Sequence, residues 1–224
     1  MSLLSDLARL IAELILIFVV LTDLILLGSS RLTSTIRLSA WQGMALGFLP
    51  LMVSRAGFGP TTLRLVTLGA VLFAMKGFLF PRLLLRALRT AEVRHEIRPI
   101  VGFQASILAG IAIVAASFWM GGRLPLPRPA PTPLALPMAL STILIGLFAI
   151  TTRANALNQV VGYLVMENGI FIFGVALAQE EPFIVEMGVL LDVFVAVFVM
   201  GIAIFHIGRE FDHIEVDQLS SLKD

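Results

Sequence analysis

Leu, Ile, Val, Phe and Ala fill long runs of this chain, and polar residues gather in the short breaks between them. Crossing bilayer hydrocarbon takes about 20 apolar residues in a helix. That ruler predicts about seven helices, near Leu3–Leu27, Ala40–Val53, Thr61–Phe80, Pro99–Trp119, Leu134–Ile150, Ala156–Ala178 and Phe183–Ile207. The second is short and carries Pro50, so it must tilt, kink or borrow hydrogen bonds if it spans. The expected fold class is all-α, a polytopic transmembrane helical protein.

Basic residues set the expected orientation. With the N-terminus outside, Arg31, Arg37, Arg82, Arg86, Arg89, Arg94, Arg98, Arg153, Arg209 and Lys223 fall in the cytoplasm, against Arg9, Arg55, Arg64, Arg123 and Arg128 outside. An excess of Lys and Arg in cytoplasmic loops favours this N-out, C-in arrangement, and an odd helix count requires it. The stretch Arg82–Arg98 mixes Arg and Leu with Glu92 and Glu96, and reads as a cytoplasmic extension of the third helix. It either anchors at the headgroups or docks a soluble partner.

Prolines at 125, 127, 129, 131, 133 and 137 mark an extended connector. The chain therefore divides into 1–120, a bundle of about four transmembrane helices; 121–137, the Pro-rich connector; 138–208, a three-helix unit; and 209–224, a polar cytoplasmic tail. No internal repeat suggests inverted transporter halves.

Composition sharpens the class. Hydrophobic residues make up 58% of the chain and charged ones 14%, and the mean hydropathy is +0.97; soluble domains hold more charge and less apolar surface. The first apolar run contains Glu13 and Asp23 and lacks a basic leader, so it reads as a retained helix and not a cleaved signal. The absence of cysteine excludes thiolate-held iron–sulfur clusters and disulfides from this chain. Two of the 3 His residues, His95 and His213, lie in charged loops, which argues against a haem or zinc site. No phosphate loop, nucleophile elbow or Ser/His/Asp constellation occurs, so the isolated chain is not expected to be an enzyme.

The chemistry lies in the ionisable residues placed where lipid should exclude them. Each costs several kcal/mol in a membrane unless neutralised, paired or hydrated. Glu167 falls in the middle of the sixth span, followed by the amide of Asn168 and by Gly169, which permits close helix approach. Asp192 lies as far after the turn near Gln179–Glu180 as Glu167 lies before it, so antiparallel helices hold the two at similar depth. This suggests a proton-handling pair; the plain alternative for Glu167 is a neutral acid that bonds a neighbouring helix.

Glu186, closer to the outer boundary, is either part of the path or hydrated at the interface. His206 follows Asp192 by about four helical turns on one face, as a proton relay to the cytoplasm or an interfacial ring. Lys76 either snorkels to the cytoplasmic surface or turns inward, where an acid such as Glu167 would ease the burial of both. Asp23, near the cytoplasmic end of the first span, is a supporting candidate alongside Asn168.

The run 153–171, with Arg153-Ala154-Asn155-Ala156-Leu157-Asn158-Gln159-Val160-Val161-Gly162 leading into Leu164-Val165-Met166-Glu167-Asn168-Gly169-Ile170-Phe171, has a familiar form. So does Pro182-Phe183-Ile184-Val185-Glu186-Met187-Gly188, leading to Asp192 and Val199-Met200-Gly201-Ile202. Together they resemble membrane component E of the hydrogenase-4 and formate hydrogenlyase family. The likeness covers essentially the whole chain and is strongest in the last third. That third also resembles the small K subunit of respiratory complex I and the small C component of multisubunit cation/proton antiporters. In the K-type pattern an acid follows the glycine closely. Here Leu164 stands there and Glu167 comes one turn later, about 5.4 Å away, with Asp192 as its match on the facing helix.

The resemblance implies an inner-membrane subunit of a complex-I-like assembly. Its partners would be large antiporter-like subunits and a hydrogenase or dehydrogenase module. The nickel–iron centre and iron–sulfur clusters belong to those partners, and this chain carries no cofactor. Glu167, Asp192, Glu186, His206 and Lys76 would serve proton or sodium translocation. A stand-alone secondary transporter and a purely structural spacer are the competing readings.

Overall fold

The computed structural model describes residues 2–53, 60–90, 100–124, 130, 132–154 and 156–177, together with Val197 and Gly201. Among these residues every regular element is helical: α1 (Ser2–Gly28), α2 (Leu32–Val53), α3 (Pro60–Ala74), a π-helical turn (Met75–Leu79), α4 (Phe80–Thr90), α5 (Phe103–Gly121), α6 (Ala135–Thr152) and α7 (Ala156–Leu177). Because α3, the π turn and α4 run on without a break, the described residues form six rods. Three helices, Ser5–Gly28, Phe103–Gly121 and Ala135–Thr152, are long and apolar enough to cross a membrane. Of the expected seventh helix only Val197 and Gly201 are described, both helical; Asp192, Glu186 and His206 lie outside the described residues, as does the 209–224 tail.

The second helix differs most from expectation. It begins at Leu32, eight residues before the predicted Ala40, and holds Pro50 in its last turn. Its first half is rich in Ser and Thr, which lowers local hydropathy and hides the helix. Thr35 Oγ1 donates to the Leu32 carbonyl at 2.8 Å, and Thr35 and Ser39 are buried.

The third rod runs on past Phe80 into the stretch read from the sequence as its extension, and is described as far as Thr90. Proline inside a helix lacks an N–H and crowds the carbonyl four residues back. Here the turn before Pro81 widens, and the Phe80 N–H reaches the Met75 carbonyl. The helix thereby continues through Pro81 into α4. Such π turns occur often at functional sites, and this one carries Lys76.

Packing places α2 and α7 at the centre. α7 lies between α6 and α2, α1 packs on α2, α5 and α6, and the π turn packs on α2. Contacts are closest between α6 and α7, where a Cβ on Gly146 would collide with the Met166 backbone. Bare backbone at such a crossing lets helices approach closely and gain dispersion contacts.

Two large apolar layers fill the interior, with a smaller cluster of Leu27, Ile145 and Ala149 beside them. One joins Leu26, Leu32, Ile36, Phe80, Leu84, Leu88, Leu157, Val161 and Val165; the other joins Leu16, Val19, Leu46, Leu49, Leu72, Ala139, Phe171 and Ile172. Between them, every central rod contributes a buried polar residue: Asp23, Gln42, Lys76, Thr142, Glu167 and Asn168. The outer face of α1 shows Leu7, Leu10, Leu14, Ile17, Leu21 and Ile25, a helical stripe suited to lipid.

Candidate functional site

The polar layer between the two apolar cores is a continuous network. Lys76 leaves the π turn and points inward, only 6% exposed, so the inward alternative holds and the snorkelling one does not. Its Nζ lies 3.6 Å from Glu167 Oε1 and donates to Asn168 Oδ1 at 3.2 Å. The ring of Phe171 flanks the ammonium, its centroid 5.7 Å from Nζ. Glu167 is 1% exposed, near the middle of α7. A buried ion pair of this kind offsets two desolvation costs, and removing either partner leaves an uncompensated charge.

The network continues across α2. Asn168 Nδ2 donates to Gln42 Oε1 at 3.3 Å. Gln42 Nε2 faces three oxygens: Asp23 Oδ1 at 2.6 Å, Thr22 Oγ1 at 2.8 Å and the Val19 carbonyl at 3.2 Å. Those neighbours fix which end of the Gln42 amide is nitrogen. Asp23 is completely buried and lies in the same layer as Glu167, whereas the sequence suggested a place near the end of its span. Thr142 of α6 meets the same carboxyl. Asp23 Oδ2 and Thr142 Oγ1 are buried, and neither completes a well-formed hydrogen bond.

Thus the structure unites four of the sequence candidates, Lys76, Glu167, Asn168 and Asp23. It adds Gln42, Thr22 and Thr142, which sequence reasoning passed over. Gln42 escaped notice because the predicted helix started at Ala40, which put it at a membrane boundary. With the true start at Leu32, Gln42 is a carboxamide in mid-helix, a signal as strong as Asn168. Glu13 is accounted for differently: it pairs with Arg9 at 3.2 Å on the outer part of α1, a partly exposed pair of small energetic worth.

Arg153, expected as a cytoplasmic loop charge, is 3% exposed. It donates from Nη2 to the Leu27 carbonyl at 2.6 Å and covers the Phe103 ring. A cation there satisfies a terminal carbonyl of α1 and complements the helix dipole. Burial lowers the pKa of its guanidinium, which nonetheless stays charged. Its role is structural. Among the described residues no group of His, Asp or Glu is arranged to hold a metal ion.

Over residues 134–224 the chain matches the family model described as NADH-ubiquinone/plastoquinone oxidoreductase chain 4L. It is 32% identical over 206 residues to an uncharacterized protein of Mycobacterium tuberculosis, a match that covers 92% of each chain. It is 31% identical over 160 residues to hydrogenase-4 component E of Escherichia coli K12, covering 71% of this chain and 74% of the relative. The Shigella flexneri protein of the same description matches equally. No solved structure matches. The resemblance read from the residues around Glu167 and Glu186 is borne out.

Proposed function

Because this chain belongs to the family of hydrogenase-4 component E, a family of respiratory membrane-complex subunits, we propose that it carries buried proton-exchanging groups for such a complex, with Glu167 as the central one. The observation that carries this reading is the Lys76–Glu167 pair, buried at 3.6 Å in a polar layer midway between two apolar cores. A structural spacer in lipid gains nothing from an ammonium and a carboxylate that apolar side chains could replace, often with a gain in stability.

The pair gives Glu167 two states. With the carboxylate ionised, Lys76 is held between it and Asn168 Oδ1. When a proton neutralises Glu167, the electrostatic hold on Lys76 falls and the ammonium leans more on the Asn168 carbonyl. Proton arrival thus alters charge in the layer without moving a helix. Asp192, Glu186 and His206 would extend the path, with the N-terminus outside and the C-terminus in the cytoplasm of the inner membrane.

The chain would hold no cofactor and make no bond on its own. The nickel–iron and iron–sulfur chemistry would belong to a hydrogenase or dehydrogenase module, and ion movement would be shared with antiporter-like subunits beside it. Substituting Glu167→Gln in the assembled complex tests this. Retained assembly with ion pumping lost supports the reading, and unchanged pumping defeats it in favour of a spacer. Failure to co-purify with any antiporter-like subunit would favour a stand-alone transporter.

A further inference from the structure

We infer that Asp23 is a second proton-binding site, seated against Thr142 and coupled to the Lys76–Glu167 pair through the side-chain amides of Gln42 and Asn168. The inference rests on the proton-exchange reading of Glu167 and extends it to a helix that precedes the 134–224 region matched by the family model.

Charge balance is the first step. Among the described residues the polar layer holds two carboxyls, Asp23 and Glu167, and one ammonium, Lys76. Lys76 compensates one carboxylate. Neutrality among these three groups, the state that low dielectric favours, therefore keeps one proton on the pair of acids. Among the described residues no other charge faces Asp23. Its partners are Gln42 and Thr142, and α5 and α6 contain no ionisable side chain. On α1 itself Arg9 and Glu13 pair with each other. Arg153, placed after α6, is committed to the Leu27 carbonyl, and Arg37 of α2 is exposed.

The direction of the hydrogen bonds is the second step. Lys76 donates to Asn168 Oδ1, Asn168 Nδ2 to Gln42 Oε1, and Gln42 Nε2 to Asp23 Oδ1. Every dipole in the series points its positive end toward Asp23. Aligned hydrogen bonds polarise one another in a low dielectric, so the charge of Lys76 is felt at Asp23. When Glu167 takes up a proton, Lys76 becomes available to stabilise negative charge on Asp23 through this series. When Asp23 holds the proton, Lys76 serves Glu167. The amides transmit polarisation and do not carry the proton, which enters and leaves each carboxyl by way of water or neighbouring subunits.

The third step is the hydroxyl beside the Asp23 carboxyl. Asp23 Oδ2 and Thr142 Oγ1 are both buried with no well-formed hydrogen bond. A hydroxyl can donate or accept by rotating. Rotated toward the carboxyl, it donates to the ionised form and accepts from the protonated one, so this neighbour suits Asp23 in both states.

Infrared difference spectra of the full chain in liposomes, recorded across a pH titration, read buried carboxylic acids through their carbonyl stretch. Asp23→Asn is expected to remove one such band and to move the titration midpoint of the Glu167 band by about tenfold in proton concentration, one pH unit. In a Gln42→Leu background, adding Asp23→Asn is expected to move the Glu167 midpoint by less than about twofold. Should Asp23→Asn fold poorly, Thr142→Val keeps both acids and must displace the Asp23 band. An unchanged carboxyl spectrum in Asp23→Asn, or an unmoved Asp23 band in Thr142→Val, overturns the inference. Unchanged ion pumping in Glu167→Gln with the Asp23 band present would instead overturn the reading of Glu167 and leave Asp23 a proton site.

Discussion

Lys76 and Glu167 come from distant parts of the chain, a π turn in the third rod and the middle of α7, and meet at 3.6 Å with their side chains 6% and 2% exposed. Substituting one partner strands the other in an apolar interior. Lys76→Met and Glu167→Leu should each destabilise the protein by roughly 3–5 kcal/mol, the usual cost of breaking a buried pair. The double substitution should cost less than either single one, because no charge is then left unpaired. Thermal unfolding of the purified variants in detergent reads this directly; additive losses would mean that the two side chains do not depend on each other.

How far this layer was legible in the sequence depends on the element. α7 was clear, since Glu167 and Asn168 interrupt an apolar run bounded as predicted at Ala156. Lys76 was visible but undecided, because one turn before a proline it could have reached the surface; in the structure it stands in the wide turn before Pro81 and is buried. Gln42 was missed because Ser and Thr residues, Thr35 among them bonded to its own helix, disguised the start of α2. The depth of Asp23 was misjudged because α1 was measured from its ends. The layers above and below show its level: Val19 and Val20 belong to one apolar core and Leu26 to the other.

The π turn can be tested sterically. A Cβ on Gly43 would collide with Lys76 Cβ, so α2 and the turn approach through bare backbone. Gly43→Ala is therefore expected to cost about 1–3 kcal/mol by overpacking and to push Lys76 away from Glu167. A smaller alanine effect in thermal unfolding than at Gly174, where a Cβ meets nothing within 4 Å, would contradict the close approach.

Arg153 joins the end of α1 to the α6–α7 connection through the Leu27 carbonyl at 2.6 Å. Arg153→Gln loses a charged hydrogen bond in a buried setting, at a cost of about 1.5–3 kcal/mol. It should also loosen the end of α1. Hydrogen exchange at Leu26–Ser29 is the measurement, and faster exchange there with unchanged protection in α5 is the expected outcome. Equal exchange in the two proteins would remove Arg153 from any capping role.

The last prediction concerns what surrounds α1. Leu14 is 56% exposed on its outer stripe, whereas Ala12, two residues away, is 1% exposed against the core. If the stripe faces hydrocarbon, a cysteine at position 14 meets lipid and one at position 12 meets protein. The chain has no native cysteine, so single substitutions report without background. In native membranes Leu14→Cys should react with a lipid-dissolved maleimide and resist a charged, water-soluble one, while Ala12→Cys should resist both. Rapid reaction of Leu14→Cys with the charged reagent would place this face in water and remove α1 from the bilayer.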